Sequence, residues 1–303
     1  MTDRSRLGAW RARAECGALV LALLAALPVV GAGQDVRGAV SAAGLAYDVV
    51  GRGDPVVLIH GFALDRRMWE PQMTGLTEAA PAGASFQVIR YDLRGHGRST
   101  ASFADSFAHH DDLARLLDEL VVRRAAVVGF SLGARVAVDF ALAYPERVSG
   151  LVLAGPSISG YVARERPAGI DSVFAAVRSG DTRRAAWSFA QMPMMVIRSD
   201  TAMHAFMRGI VLDNAAIWDV RSNPERALTP PAIVRLGALT VPVLLIAGDE
   251  DIPDILRTAD AVVAGTGGRA QKAVLPGVGH MVNLAAPAQF NELMLDFLRP
   301  RGR

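Results

Sequence analysis

The sequence predicts an α/β fold: a mostly parallel central sheet flanked by helices, with a helical cap inserted into it. Three observations carry this expectation. Short apolar runs alternate with amphipathic stretches from residue 38 onward. The alternation stops between 156 and 236, where only helix-like spacing continues, and it resumes at 243. The chain has 303 residues, enough for one sizeable α/β core and a smaller insertion. Strands that alternate with helices pair in parallel, because each crossover helix carries the chain back to the starting edge of the sheet.

The elements follow in order. Residues 38–50 read as an opening strand or hairpin, closed by the turn Gly51-Arg52-Gly53-Asp54-Pro55. Val56-Val57-Leu58-Ile59 is an unbroken apolar run, the mark of a strand buried on both faces. Phe86–Tyr91 is another. Between Phe107 and Val122, Leu113, Leu116, Leu117 and Leu120 recur at helical spacing. Ala125–Gly129 is the next strand, Ala134–Tyr144 a helix ended by Pro145, and Val148–Ala154 a strand. Helix-like stretches near 171–190 and 200–218 occupy the interruption, along with Met192, Met194, Met195, Met203 and Met207. Val243–Ala247, a helix near 253–264, a short strand Ala273–Leu275 and a last helix Ala288–Leu298 complete the pattern. The predicted organisation is a leader over 1–32, a core over 33–155 and 237–303, and a cap over 156–236.

Composition excludes several classes. Hydrophobic residues make up 51% and charged residues 20%, which rules out a disordered chain. One cysteine, Cys16, rules out a disulfide scaffold. The formal charge of +2 resides in the first 32 residues, where Arg4, Arg6, Arg11 and Arg13 outnumber Asp3 and Glu15. The remainder is charge-balanced, so no basic surface for nucleic acid is expected. Neither H-E-x-x-H nor C-x-x-C occurs, and no complete G-x-G-x-x-G or phosphate-binding loop is present, so no metal or nucleotide cofactor is implied.

The leader has the pattern of an export signal. Four arginines precede an uncharged run whose apolar centre, Ala18–Val30, falls short of the roughly 20 residues that span a bilayer. Val30-Gly31-Ala32 offers small residues for cleavage, leaving Gly33 as the new N-terminus. The expectation is a secreted or periplasmic protein without stable membrane insertion; an uncleaved membrane anchor is the alternative. Cleavage would also remove Cys16, which suits an oxidising compartment.

The chemistry centres on Gly129-Phe130-Ser131-Leu132-Gly133, a G-x-S-x-G pentapeptide between a predicted strand and a predicted helix. That setting places a serine on a sharp corner, and small residues two places either side let strand and helix pass closely. A serine hydroxyl needs a base, and the base needs an orienting acid. In this architecture the order along the chain is Ser, acid, His. Of the six histidines, only His280 follows the carboxylates near residue 250. Gly248-Asp249-Glu250-Asp251 lies just past a strand. Asp251 is the first choice for the acid, three residues after the glycine; Asp249 is second and Asp254 a distant third. The developing oxyanion needs two donors. The Leu132 N–H at the helix start is one, and the Phe62 N–H in His60-Gly61-Phe62 is the other. His60 is read as a structural loop residue.

These motifs, with Tyr91-Asp92-Leu93-Arg94-Gly95-His96-Gly97-Arg98-Ser99, make the chain resemble the α/β-hydrolase superfamily over 38–299. The serine pentapeptide is itself an established mark of that superfamily. Within it, the wording is similar to 3-oxoadipate enol-lactonases, small esterases, cofactor-free haloperoxidase-like enzymes and carbon–carbon bond hydrolases. Ala134 departs from the glycine many relatives have. The resemblance implies a mainly structural 92–99 loop, no cofactor, and a small-molecule ester or lactone as the substrate. Carbon–carbon hydrolysis or perhydrolysis by the same triad is the alternative. The expected substrate contacts lie in the cap: Trp187, Phe189, Met192, Met195, Phe206 and Trp218; Arg164, Arg166 and Arg198 either meet a substrate carboxylate or belong to the solvated surface.

Overall fold

A computed structural model describes residues 35–78, 85–101, 103, 106–219 and 224–299. The expected leader and its cleavage site lie outside the described residues. The strands are β1 (Val36–Val40), β2 (Ala46–Gly51), β3 (Asp54–Ile59), β4 (Phe86–Tyr91), β5 (Ala125–Phe130), β6 (Val148–Ala154), β7 (Val243–Gly248) and β8 (Ala270–Leu275). The α-helices are α1 (Glu70–Thr77), α2 (His109–Glu119), α3 (Leu132–Ala143), α4 (Ile170–Arg178), α5 (Thr182–Ala190), α6 (Thr201–Asp213), α7 (Pro253–Gly265), α8 (Val282–Ala285) and α9 (Pro287–Leu298).

The strands form one sheet in the order β1-β2-β4-β3-β5-β6-β7-β8. β1–β2 and β2–β4 pair antiparallel, and every pairing from β4 through β8 is parallel. The predicted mostly parallel sheet is therefore the observed one. Side chains alternate across a strand, so the unbroken apolar runs feed two cores. Val56, Leu58, Val128 and Phe130 enter one, and Val57, Ile59 and Val127 enter the other.

Two differences from the sequence reading have identifiable physical causes. The stretch 171–190 is two helices: Gly180 turns with φ 74°, and the Asp181 carboxylate caps α5 by accepting from the Arg184 N–H at 2.9 Å. Helix α1 was not expected, since Glu70-Pro71-Gln72-Met73-Thr74-Gly75-Leu76-Thr77 carries little apolar periodicity. It is held by tertiary contacts instead: Gln72 Nε2 donates to Asn283 O at 3.0 Å, and Asn291 Nδ2 to Pro71 O at 3.0 Å.

Strand order reverses at β3 and β5. The chain runs from β3 outward to β4, then crosses back to β5 on the other side. Ligands of open α/β sheets bind beyond the carboxyl ends of strands at such a reversal. The loops that follow β3, β5, β6, β7 and β8 there carry Phe62, Ser131, Ser157, Asp251 and His280 respectively.

The segment between β6 and β7 holds α4, α5 and α6, and no strand among its described residues. Its apolar side chains, including Val173, Ala186, Met207 and Val211, join the same core as one face of the sheet. Polar contacts fix both ends. Asp254 accepts from the N–H groups of Arg164 (2.8 Å) and Glu165 (2.9 Å). Buried Asn214 donates to Asp65 Oδ2 at 2.9 Å and accepts from the Gly97 N–H at 2.6 Å.

Backbones cross very closely where α3 leaves β5. A Cβ on Gly133 would lie 2.1 Å from the Ile59 carbonyl oxygen, and one on Gly129 would lie 2.2 Å from that of Gly133. Both obstacles are backbone, which no rotamer change relieves. Gly133→Ala is therefore expected to destabilise the fold by about 3 kcal/mol or more, as overpacking and backbone strain together require. Thermal unfolding checks this; an unchanged Tm would contradict the close crossing.

Candidate active site

The site is built on the corner between β5 and α3. Ser131 has φ 51° and ψ −110°, a conformation that costs a non-glycine residue roughly 1–3 kcal/mol. The corner is over-determined by its neighbours. The Ser131 N–H donates to Ala154 O at 2.9 Å, which ties it to the end of β6. Leu132 is the first residue of α3, so its N–H has no partner within the helix.

His280 sits between β8 and α8, almost wholly buried. Its Nδ1 lies 2.9 Å from Asp251 Oδ2 and 3.1 Å from Oδ1. A carboxylate at Nδ1 places the ring proton there and leaves the Nε2 lone pair as the basic one. The ring packs 4.9 Å from the ring of Phe130, the residue before Ser131. It also covers Gly155, where a Cβ would come within 2.9 Å of His280 Cε1.

Three carboxylates were candidates for the acid, and the structure gives them different partners. Asp251 holds His280 and also accepts from the Ile252 N–H at 2.6 Å. Asp249 turns toward the 275–280 loop and accepts from the Gly277 N–H at 2.7 Å. Asp254 is occupied by Tyr161, Arg164, Glu165 and Arg257. Those hydrogen bonds hold its carboxyl down at about 2.

The Phe62 loop is held from behind by two histidines whose rings meet at a 60° tilt. The rings of His60 and His96 lie 5.0 Å apart and are buried. His60 Nε2 accepts from the Leu93 N–H at 2.8 Å, and its Nδ1 faces Gly61 O at 2.8 Å. His96 Nε2 accepts from the Ala63 N–H at 3.3 Å, and its Nδ1 faces Arg94 O at 3.0 Å. Each ring therefore carries its proton on Nδ1 and is neutral. Burial pushes His60 down to about 4 and His96 to about 3. Because C=O and N–H of a trans peptide point opposite ways, the bond from His60 to Gly61 O fixes the aim of the Phe62 N–H. Sequence reading assigned His60 to the loop's structure; this specific hold on the peptide was not visible there.

The expected cap contacts separate into two groups. Trp218, Met192 and Met195 are buried, as is Phe189. The Phe62 ring meets Trp218 and Phe189 edge-on, 5.0 Å from Trp218 and 6.1 Å from Phe189. Trp187 is instead 48% exposed and Phe206 39% exposed. Trp187 follows the buried Ala185 and Ala186 on α5 and precedes buried Phe189, so helical geometry turns it outward, where Arg208 lies over its ring at 5.3 Å. Two of the expected arginines have anionic partners: Arg166 pairs with Asp171 at 2.5 Å, and Arg198 with Glu250 at 2.6 Å. The Arg198–Glu250 pair stands at a cleft of about 580 Å³ lined by Pro167, Met194, Ile252 and Ala286. No group of three or more metal-ligating side chains is present among the described residues.

A sheet with a strand–serine–helix corner at its reversal point, and an Asp–His pair on the ends of β7 and β8, defines a hydrolase of the α/β type. The chain belongs to the alpha/beta hydrolase family, whose description matches residues 56–293. A Synechocystis protein provisionally named as a non-heme chloroperoxidase is 28% identical over 292 residues, covering 90% of this chain and all of that one. Among solved structures, the esterase RhEst1 of Rhodococcus sp. aligns with a TM-score of 0.73 at 25% identity, over 89% of this chain and all of that one. Est816, described as an N-acyl homoserine lactone degrading enzyme, aligns with a TM-score of 0.66 at 25% identity, over 84% of this chain and 96% of that one.

His60 and His96, together with buried His109, which desolvation also pushes well below the ordinary value, make stability depend on pH. Between their folded values and the ordinary 6.5, the unfolded chain takes up protons that the folded chain refuses. Their stabilising contribution is complete above pH 6.5 and is lost as pH falls toward 4. The expected slope is about 1.4 kcal/mol per pH unit per histidine. The raised carboxyls of Asp92 and Asp139, desolvated by burial, oppose this nearer their own range. Denaturant unfolding at pH 7, 6, 5 and 4.5 measures it; a flat profile would show the rings to be solvated.

Proposed function

We propose that this protein is a serine hydrolase that cleaves carboxylic esters or lactones of small molecules through an acyl-enzyme. The reading rests above all on the His280–Asp251 pair, which is set against the residues flanking the Ser131 corner. His280 Nε2 takes the Ser131 hydroxyl proton as Oγ bonds to the substrate carbonyl carbon. The carbonyl electron pair moves to oxygen, where the N–H groups of Leu132 and Phe62 receive it. Collapse expels the alkoxide, which takes the proton from His280. Water, deprotonated by the same nitrogen, then attacks the acyl-enzyme and releases the acid. Asp251 keeps the tautomer and stabilises the imidazolium.

The helical segment 156–236 is read as a cap that selects substrate. The edge-on packing of Phe189 and Trp218 on Phe62 supports this, since it joins the segment to the loop bearing one oxyanion donor. Residues 1–32 are read as an export leader, so that the working enzyme is secreted or periplasmic. The similarity to a protein named as a chloroperoxidase favours a second reaction for the same groups. Peroxide in place of water would attack the acyl-enzyme and release a peracid.

Ser131→Ala is expected to abolish p-nitrophenyl acetate turnover with the Tm preserved. Asp251→Asn should lower kcat about 10³–10⁴-fold, as loss of the tautomer-setting acid does. Asp249→Asn should stay within about threefold. Turnover by pure Ser131→Ala protein, or equal losses for the two aspartates, would sink the assignment. Running the assay with acetate and peroxide separates hydrolysis from peracid formation. N-terminal sequencing of protein recovered outside the cytoplasm should begin at Gly33; a chain retaining Met1 would remove the cleavage reading, and recovery of the protein only from the cytoplasm would remove the export reading.

A further inference from the structure

Resting on that acyl-transfer reading, we propose that Ser157 is a positioning residue of the oxyanion site. Its hydroxyl grips and polarises the Ser131–Leu132 peptide, whose N–H receives the oxyanion. Ser157 lies in the loop after β6, 26 residues from the corner, and its Oγ donates to Ser131 O at 2.8 Å. That carbonyl belongs to the same planar peptide as the Leu132 N–H. A donor on the oxygen therefore stands on the far side of the peptide and leaves the N–H clear for substrate.

The Ser131 carbonyl also accepts from the N–H groups of Ala134 at 3.0 Å and Arg135 at 3.2 Å, the opening bonds of α3. Those two set its direction. The hydroxyl is a third donor, delivered from another strand, and it draws electron density onto the oxygen. Hydrogen bonds in a chain strengthen one another, so the Leu132 N–H becomes the better donor. The arrangement parallels the opposite donor, where the His60 ring holds Gly61 O and thereby the Phe62 N–H. Each oxyanion peptide thus has a side-chain donor on its carbonyl.

The loop that carries Ser157 is itself anchored on both sides. The Gly155 N–H donates to Ile246 O at 2.9 Å. Ser159 Oγ donates to Asp139 at 2.6 Å and accepts from the Ala232 N–H at 2.9 Å. The hydroxyl is therefore in place before any substrate arrives, which is the condition for electrostatic stabilisation without reorganisation.

Removal of a direct oxyanion donor costs about 10²–10³ in kcat; an indirect one should cost less. The test compares the full chain with Ser157→Ala and Ser157→Thr, using p-nitrophenyl acetate and an aryl trifluoromethyl ketone. The ketone bonds to Ser131 Oγ and places a stable oxyanion in the site. Ser157→Ala is expected to lower kcat about tenfold with KM within twofold, and to weaken the ketone Ki by the same factor. Its Tm should be preserved, and Ser157→Thr should recover kcat to within about threefold. Ser157→Ala with kcat and Ki within twofold of the parent would overturn the proposal. So would a loss that tracks a fallen Tm and is not recovered by threonine. Failure of the underlying reading has a different signature: persistent turnover by Ser131→Ala, or no slow-binding inhibition of the parent by the ketone.

Discussion

The close crossing of α3 over the ends of β3 and β5 is the constraint on which the rest depends. No side chain fits between Gly133 and the Ile59 carbonyl, or between Gly129 and the Gly133 carbonyl. Only with that separation can the chain turn from strand to helix within one residue. The turn forces Ser131 to positive φ, and the surrounding hydrogen bonds hold it there. Strain at one residue is tolerated because the packing of two strands and a helix is already fixed around it. A looser crossing would let the serine relax and would move both the hydroxyl and the Leu132 N–H.

The same economy recurs on the other side of the site. His60 and His96 are polar groups in a place where polar groups are costly, and each is satisfied at both nitrogens. Their burial keeps them neutral, so they behave as fixed dipoles rather than as bases. They join the loop after β3 to the loop after β4, and the charged residues nearby extend that join. Asp48 and Asp92 meet Arg66, and Arg90 reaches Asp48 and Glu70. Asp48, Asp92, Arg66 and Arg90 are buried, and removing one of them leaves a charge uncompensated, which is where the set's stabilising value lies.

The helical segment between β6 and β7 is not a separate body. Its apolar face completes a core that begins on the sheet, and its last helix is bolted to the loops after β3 and β4 through Asn214 and the Arg67–Asp213 pair. The pieces that would select a substrate are thus coupled to those that would stabilise a transition state. Phe62 belongs to both, through its backbone on one side and its ring on the other.

Much of this was legible in the sequence. Unbroken apolar runs announced strands covered on both faces, and the leucine spacing of 113–120 announced α2. The pentapeptide around Ser131, the order Ser–Asp–His and the glycine-led turns placed the candidate residues on strand ends, because backbone geometry allows few residue types there. By sequence alone Asp251, Asp249 and Asp254 differed only in spacing. The folded chain gave them separate partners, since which carboxylate meets His280 depends on how two loops pack. The outward turn of Trp187, the pairing of Arg166 and Arg198, helix α1, and the grips of His60 and Ser157 on their peptides likewise needed the tertiary structure. Local pattern determines which element forms and which residue types can sit at a corner. Contacts between segments distant in the chain decide which atom faces which, and only the folded chain contains them.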